Sequence, residues 1–160
     1  MKKLFLMRHG KSDFVDGLSD FDRTLSREGV VDAPAMGLLF KEKFSGVEKI
    51  YCSAARRTVE TGTYICEALG YNWSDVELQK EMYLASASYL SEVVKSADDA
   101  LNSILLIAHN PGMDVLMNAL SRHKIGGVPA CGLGYFELDV DSWKHFDPAL
   151  VNEWSFDYPR

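Results

Sequence analysis

No stretch of this 160-residue chain is apolar for anything near the ~20 residues that a membrane-spanning helix needs. A membrane protein is therefore not expected. The opening Met1-Lys2-Lys3 is basic, but the apolar run behind it is too short for a signal peptide and leads into Arg8. With nothing to direct export, the expected location is cytoplasmic. Basic residues are also in short supply: 17 Lys and Arg face 23 Asp and Glu, for a net charge of −6. That balance argues against a nucleic-acid partner. Cysteine is scarce. Cys52, Cys66 and Cys131 have neither even pairing nor metal-ligand spacing, and they read as buried free thiols. Internal repeats and low-complexity segments are missing as well.

What the chain does have is an ordinary globular balance, with 47% hydrophobic and 25% charged residues. Its length suits a single domain over residues 1–160 with a substantial core. The charge is unevenly spread. Residues 1–57 hold 11 of the basic groups and 8 of the acidic ones, whereas residues 58–160 hold 6 and 15. A basic first third in an acidic chain is consistent with an anion pocket there.

Two short, continuous apolar runs, Leu4–Met7 and Ser103–Ala108, read as buried parallel strands. Each runs straight into a histidine: Arg8-His9-Gly10 after the first, His109-Asn110-Pro111-Gly112 after the second. Lys49–Cys52 is a further short strand, and another is possible within 72–81. Gly134–Val140 alternates as the final strand. Ser26 can cap a helix to about Phe44, with Val30, Ala33, Gly37 and Phe40 on one face. Pro34 implies a kink there or a later start near Asp32. Ser53 opens a helix that ends at Leu69 before Gly70, with a stripe of Val59, Gly62, Cys66 and Leu69. Ser88–Ala97 and the segment after Pro111 are helical, the latter with Asn110 as cap and with Met113, Leu116, Met117 and Leu120 aligned. The aromatic tail from Trp143 should pack back on the domain. Strands alternating with helices argue for an α/β fold: a mostly parallel sheet in a three-layer α/β/α sandwich.

In such sheets ligands bind beyond the carboxyl ends of the strands. Both histidines and Arg8 are therefore delivered to the place where chemistry is done. Gly10 allows a tight turn and a close backbone approach to a ligand. Arg56 or Arg57 lies in the first turn of its helix, where free N–H groups would help an arginine hold phosphate. His109 has no companions at metal-ligand spacing. His123 and His145 read as surface residues.

Four segments together resemble the histidine phosphatase superfamily, also called phosphoglycerate mutase-like, and are most similar to its short SixA-type phosphohistidine phosphatases. Arg8-His9-Gly10-Lys11 matches the defining motif. Asp20-Phe21-Asp22-Arg23-Thr24-Leu25-Ser26-Arg27-Glu28-Gly29 resembles D-x-x-R-x-L-[ST]-x-x-G. Ser53-Ala54-Ala55-Arg56-Arg57-Thr58-Val59-Glu60-Thr61 resembles S-P-x-x-R-A-x-Q-T, with Ala54, Thr58 and Glu60 replacing the proline, alanine and glutamine. Ile107–Gly112 resembles the second-histidine motif. Counting from Ser53, the family arginine falls on Arg57 rather than Arg56.

The resemblance implies a phosphoglycerate mutase-like fold and phosphoryl transfer through a phosphohistidine on His9. Arg8, Arg57 and, if protonated, His109 can spread positive charge around the phosphoryl oxygens, with Gly10 and Asn110 also at the phosphate. Glu81, in Glu81-Met82-Tyr83, is the best candidate for the general acid. Three cationic donors could act without a metal, so no cofactor is expected. Little chain lies between Arg57 and His109 to form a large lid. An open site favours a phosphorylated protein, as phosphohistidine, over a small phosphorylated substrate. The alternatives are a small-molecule phosphomonoesterase or mutase of the same superfamily, a non-catalytic phosphoryl-binding module and, last, a metal hydrolase.

Overall fold

The computed structural model describes residues 1–160. Six strands form one sheet: β1 (Lys2–Arg8), β2 (Lys49–Ser53), β3 (Glu77–Gln79), β4 (Ser103–Ala108), β5 (Leu133–Leu138) and β6 (Val151–Asp157). Their order across the sheet is β3-β2-β4-β1-β5-β6. β3, β2, β4 and β1 pair in parallel, while β5 runs against both β1 and β6. The helices are α1 (Arg27–Phe44), α2 (Arg56–Leu69), α3 (Ala87–Lys95) and α4 (Gly112–Leu120).

The apolar run of β1 is buried on both sides of the sheet. Leu4 and Leu6 enter a core with Leu90 and Val94 of α3 and Leu116 of α4. Phe5 and Met7 enter a second core with Met36 and Phe40 of α1 and Ile65 of α2. Phe5 stacks on Phe40 with centroids 4.6 Å apart. The pairs α1/α2 and α3/α4 thus cover opposite faces, which is the expected three-layer sandwich with a mostly parallel sheet.

Several local expectations shift. α1 begins at Arg27, where Gly29 N–H donates to the Ser26 side chain, and it runs through Pro34 without a later start. Pro34 leaves the Val30 carbonyl without its helical donor, and Val30 is exposed, so water can serve it. The buried face is Gly29, Ala33, Met36, Gly37 and Phe40, one position round from Val30. At Gly37 an added Cβ would stand 2.8 Å from Ala68 Cβ, so glycine is what lets α1 and α2 approach. Ser53 closes β2 instead of opening α2, which starts at Arg56. The inward face of α2 is Arg57, Thr58, Thr61, Gly62, Ile65 and Cys66, with Val59 and Leu69 only half-buried. α4 starts at Gly112, one residue later than a proline-initiated helix, and the Asn110 side chain does not cap it. The final strand is β6, not β5. It is the aromatic tail, laid along β5. All three cysteines are free and buried. No helix is long and apolar enough to cross a membrane.

Candidate active site

The sheet register assembles the site. β1 and β4 are parallel neighbours with Arg8 opposite Ala108. The next residue on each strand is therefore a histidine at the same level, and the rings of His9 and His109 stand 5.2 Å apart. β2 is the next neighbour of β4, with Cys52 opposite Ile107, so Ser53 ends beside His109. The chain reverses its order of laying down strands between β1 and β4, the switch point where open α/β sheets place ligands. There a cleft of about 680 Å³ opens, floored by Arg8, His9, Arg57 and His109, with Lys11, Ser12, Arg23 and Asn110 around it.

Both histidines are buried, at 8% and 1% exposure. His9 Nδ1 lies 2.7 Å from the Gly10 carbonyl, which can only accept, so the proton sits on Nδ1 and the lone pair on Nε2. That lone pair faces Arg57 Nε at 3.3 Å. Burial pulls His9 down to about 4, helped by the charges of Arg57, Arg8 and Arg23 against the pull of its hydrogen bond to Gly10. It is a neutral imidazole with a free ring nitrogen at neutral pH.

His109 Nε2 shares a hydrogen bond of 2.8 Å with Ser53 Oγ, which also accepts from Ala55 N–H. Burial, then the neighbouring His9 and Arg57, lower His109 to about 3. A cationic role for His109 depends on its protonation, and in the free protein burial first, with His9 and Arg57 next, favours the neutral ring. Arg8 donates from Nη1 to the Val128 carbonyl at 2.9 Å. Its ordinary value is lowered by burial, and it keeps its charge. Arg8 Nε, His109 Nδ1 and Asn110 Oδ1 are buried without a partner. Orphaned polar atoms are costly, and finding three in residues that line one cleft marks it as built for a polar ligand.

Arg57 is 3% exposed, whereas Arg56 beside it is exposed. One residue is ~100° of helix, which sends one arginine inward and the other to solvent. Arg57 is held by Asp20, donating to its backbone carbonyl at 2.6 Å and to Oδ2 at 3.0 Å. The Asp20 carboxylate also accepts from Arg23 at 2.9 Å and from the Tyr83 hydroxyl. Those bonds, Tyr83's foremost, hold Asp20 well below the usual carboxylate range.

Two expected residues stand elsewhere. Gly10 is not among the residues lining the cleft, and its N–H donates to Thr61 Oγ1 at 3.0 Å, locking the end of β1 to α2. An added Cβ would meet Cys131 Sγ at 3.1 Å and Leu25 Cδ2 at 3.2 Å, so glycine permits a close approach of protein side chains here. Glu81 is exposed in a short turn and does not line the cleft. The segment instead delivers Tyr83, whose ring packs edge-on against His109 at 5.4 Å, and Leu84 at the cleft wall. The carboxylates that do line the cleft, Asp13 and Glu28, are both exposed, and Glu28 is paired with Lys11 at 2.6 Å. Asp20 and Arg23 lay within a quoted motif and could have been singled out; Tyr83 carried no sequence signal. His123 and His145 are exposed and outside the cleft. No three His, Cys, Asp or Glu side chains are grouped so as to hold a metal ion.

Comparison with known proteins bears on the family and the fold. The family model of the histidine phosphatase superfamily (branch 1) matches residues 4–93. The chain is 30% identical over 168 aligned positions to an uncharacterized protein of Mycobacterium leprae (strain TN), covering 96% of this chain and all of that one. A structure from Agrobacterium tumefaciens assigned as a phosphohistidine phosphatase SixA superposes with a TM-score of 0.80 at 24% identity, covering 99% of this chain and 98% of that one. A 2,3-bisphosphoglycerate-dependent phosphoglycerate mutase of Bacteroides fragilis is 33% identical over 82 residues, 48% of this chain and 32% of the mutase.

Proposed function

The chain belongs to the histidine phosphatase superfamily, and from that premise we propose that it is a metal-independent phosphatase that hydrolyses phosphohistidine on a protein through a phosphoryl intermediate on His9. The observation that carries the reading is the state of His9: neutral, with its proton tied to the Gly10 carbonyl and its Nε2 lone pair turned to Arg57. A nucleophile fixed in this way needs no base to remove a proton first.

In the first step His9 Nε2 attacks phosphorus. The substrate imidazole enters with its second ring nitrogen protonated from solvent, and the new P–N bond forms as the bond to the leaving nitrogen breaks, so that it departs as neutral imidazole. Arg57 and Arg8 carry the charge on the equatorial oxygens, while Asn110 and neutral His109 supply hydrogen-bonding groups. Arg57 must turn from His9 Nε2 to the phosphoryl group as substrate enters. In the second step water attacks the phosphohistidine, releasing inorganic phosphate and restoring Nε2.

The acids of the cleft support the choice of leaving group. No buried carboxyl lines it, and Glu81 lies outside. An imidazole, with a conjugate acid near ~6.5, departs readily once protonated. An aliphatic alkoxide needs a placed acid as the P–O bond breaks. The similarity of part of the chain to phosphoglycerate mutases favours a second reading, a small-molecule phosphomonoesterase. Alkaline denaturing quench during turnover of a phosphohistidine peptide should trap a base-stable, acid-labile phosphoryl group on His9, absent in His9→Ala. An adduct on His109, or turnover of alkyl phosphates with none of phosphohistidine, would overturn the proposal.

A further inference from the structure

The loop between β1 and α1 is pinned at its base and open at its tip. Ser12 bridges to Leu25, Asp13 N–H donates to the Thr24 carbonyl at 3.1 Å, and Arg23 Nε donates to the Asp13 carbonyl at 3.0 Å. Beyond this base the tip turns, with Leu18 N–H bonded to the Val15 carbonyl. Three apolar side chains are left in water: Phe14 at 86% exposure, Val15 at 44% and Leu18 at 43%. Phe14 lies over the Arg23 guanidinium at 5.4 Å, and Arg23 lines the cleft. Leu84, 51% exposed on the cleft wall, adds a fourth apolar group and is held at a φ of 50°. A leucine rarely adopts that conformation unless its surroundings impose it. Isolated exposed apolar residues are ordinary, but here Leu84 lines the cleft, Phe14 follows cleft-lining Asp13 and contacts cleft-lining Arg23, and Val15 and Leu18 continue the same tip, a grouping that marks a binding surface.

The charges around them say what binds. The cleft is cationic at its floor, with Arg8 and Arg57, and around it, with Lys11 and Arg23. Acidic groups flank the apolar ones: Asp13, at the loop base and lining the cleft, precedes Phe14, and Asp16, in the tip, follows Val15, and neither carboxylate has a hydrogen bond or ion pair. A small phosphorylated metabolite would engage the cationic side chains of the cleft and leave Phe14, Val15, Asp16 and Leu18 unused. We propose that the tip of this loop, together with Leu84, is the docking surface for a phosphorylated protein whose phosphohistidine is flanked by apolar and basic side chains. The phosphoryl group meets the cationic floor, the apolar residues meet Phe14, Val15, Leu18 and Leu84, and the basic residues meet Asp13 and Asp16. This inference rests on the phosphohistidine reading above.

The test uses two synthetic phosphohistidine peptides of equal length, one flanked by Leu and Lys, the other by Ser and Glu, and free phosphohistidine. The wild-type chain should favour the Leu/Lys peptide by about tenfold or more in kcat/KM. Phe14→Ser and Asp16→Lys, both at exposed positions, should each remove most of that preference through KM and leave turnover of free phosphohistidine unchanged. Equal wild-type rates on the two peptides, or variants that keep the preference, would overturn the docking surface alone. So would an equal loss on free phosphohistidine, which would place the loop in the chemistry. Sedimentation that finds a wild-type dimer, absent in Phe14→Ser, would give the face to a second copy and overturn it too. Turnover of alkyl phosphates with none of any phosphohistidine substrate would instead overturn the underlying reading.

Discussion

Replacing Arg57 by alanine separates this site from the surface arginine next to it. Arg57 is 3% exposed and makes three directed contacts: Nε to His9 Nε2 at 3.3 Å, Nη1 to the Asp20 carbonyl at 2.6 Å and Nη2 to Asp20 Oδ2 at 3.0 Å. Alanine removes the guanidinium next to the attacking nitrogen. Loss of one preorganised donor to a developing charge costs ~2.7–4 kcal/mol, or roughly 100- to 1,000-fold in rate. Fold stability should move far less. Asp20 keeps Arg23 and Tyr83 and its side chain is 42% exposed, while the variant also sheds the desolvation cost of a buried guanidinium. A change of no more than ~1 kcal/mol in unfolding free energy is expected. Arg56 is exposed, and Arg56→Ala should leave kcat/KM within about threefold. The assay is stopped-flow release of phosphate from a phosphohistidine peptide, with thermal unfolding of each variant alongside. An Arg57→Ala rate within tenfold of wild type, or equal losses in the two variants, would refute the assignment.

Three further outcomes follow from the same geometry. NMR titration of the free protein should give ring midpoints near 4 for His9 and near 3 for His109. The unfolded chain takes up these protons near ~6.5, so the folded state binds fewer protons below that value and stability should fall as the pH drops from ~6.5 towards 4; a midpoint near 6.5 for either ring would contradict the buried, doubly cationic environment. Activity should persist in excess EDTA, and activity lost to chelation and restored by Mg²⁺ or Zn²⁺ would refute metal independence. Glu81→Gln should keep phosphohistidine hydrolysis within about twofold, since Glu81 stands in solvent outside the cleft; a hundredfold loss would return it to the role of general acid.

The local chemistry of the site was legible in the sequence because it is written in short, contiguous segments. A buried apolar run followed by His9, another followed by His109, and the spacing from Ser53 to Arg57 are all readable without knowing what packs where. The alternation of strands and helices specified the sandwich for the same reason, since period and run length are local properties. Tertiary structure decided whatever depends on neighbours distant in the chain. Pairing of β1 with β4 put the two imidazoles side by side, and burial there favours the neutral form of both rings. Gly10 turned out to serve packing against Cys131 and Leu25, contacts more than 100 and about 15 residues away in the chain. The aromatic tail became strand β6 only because β5 offered it an edge. Tyr83, not Glu81, reached the site because Asp20 and His109 meet its hydroxyl and its ring there. Composition and spacing carry no term for such contacts, which exist only once the sheet has brought the segments together.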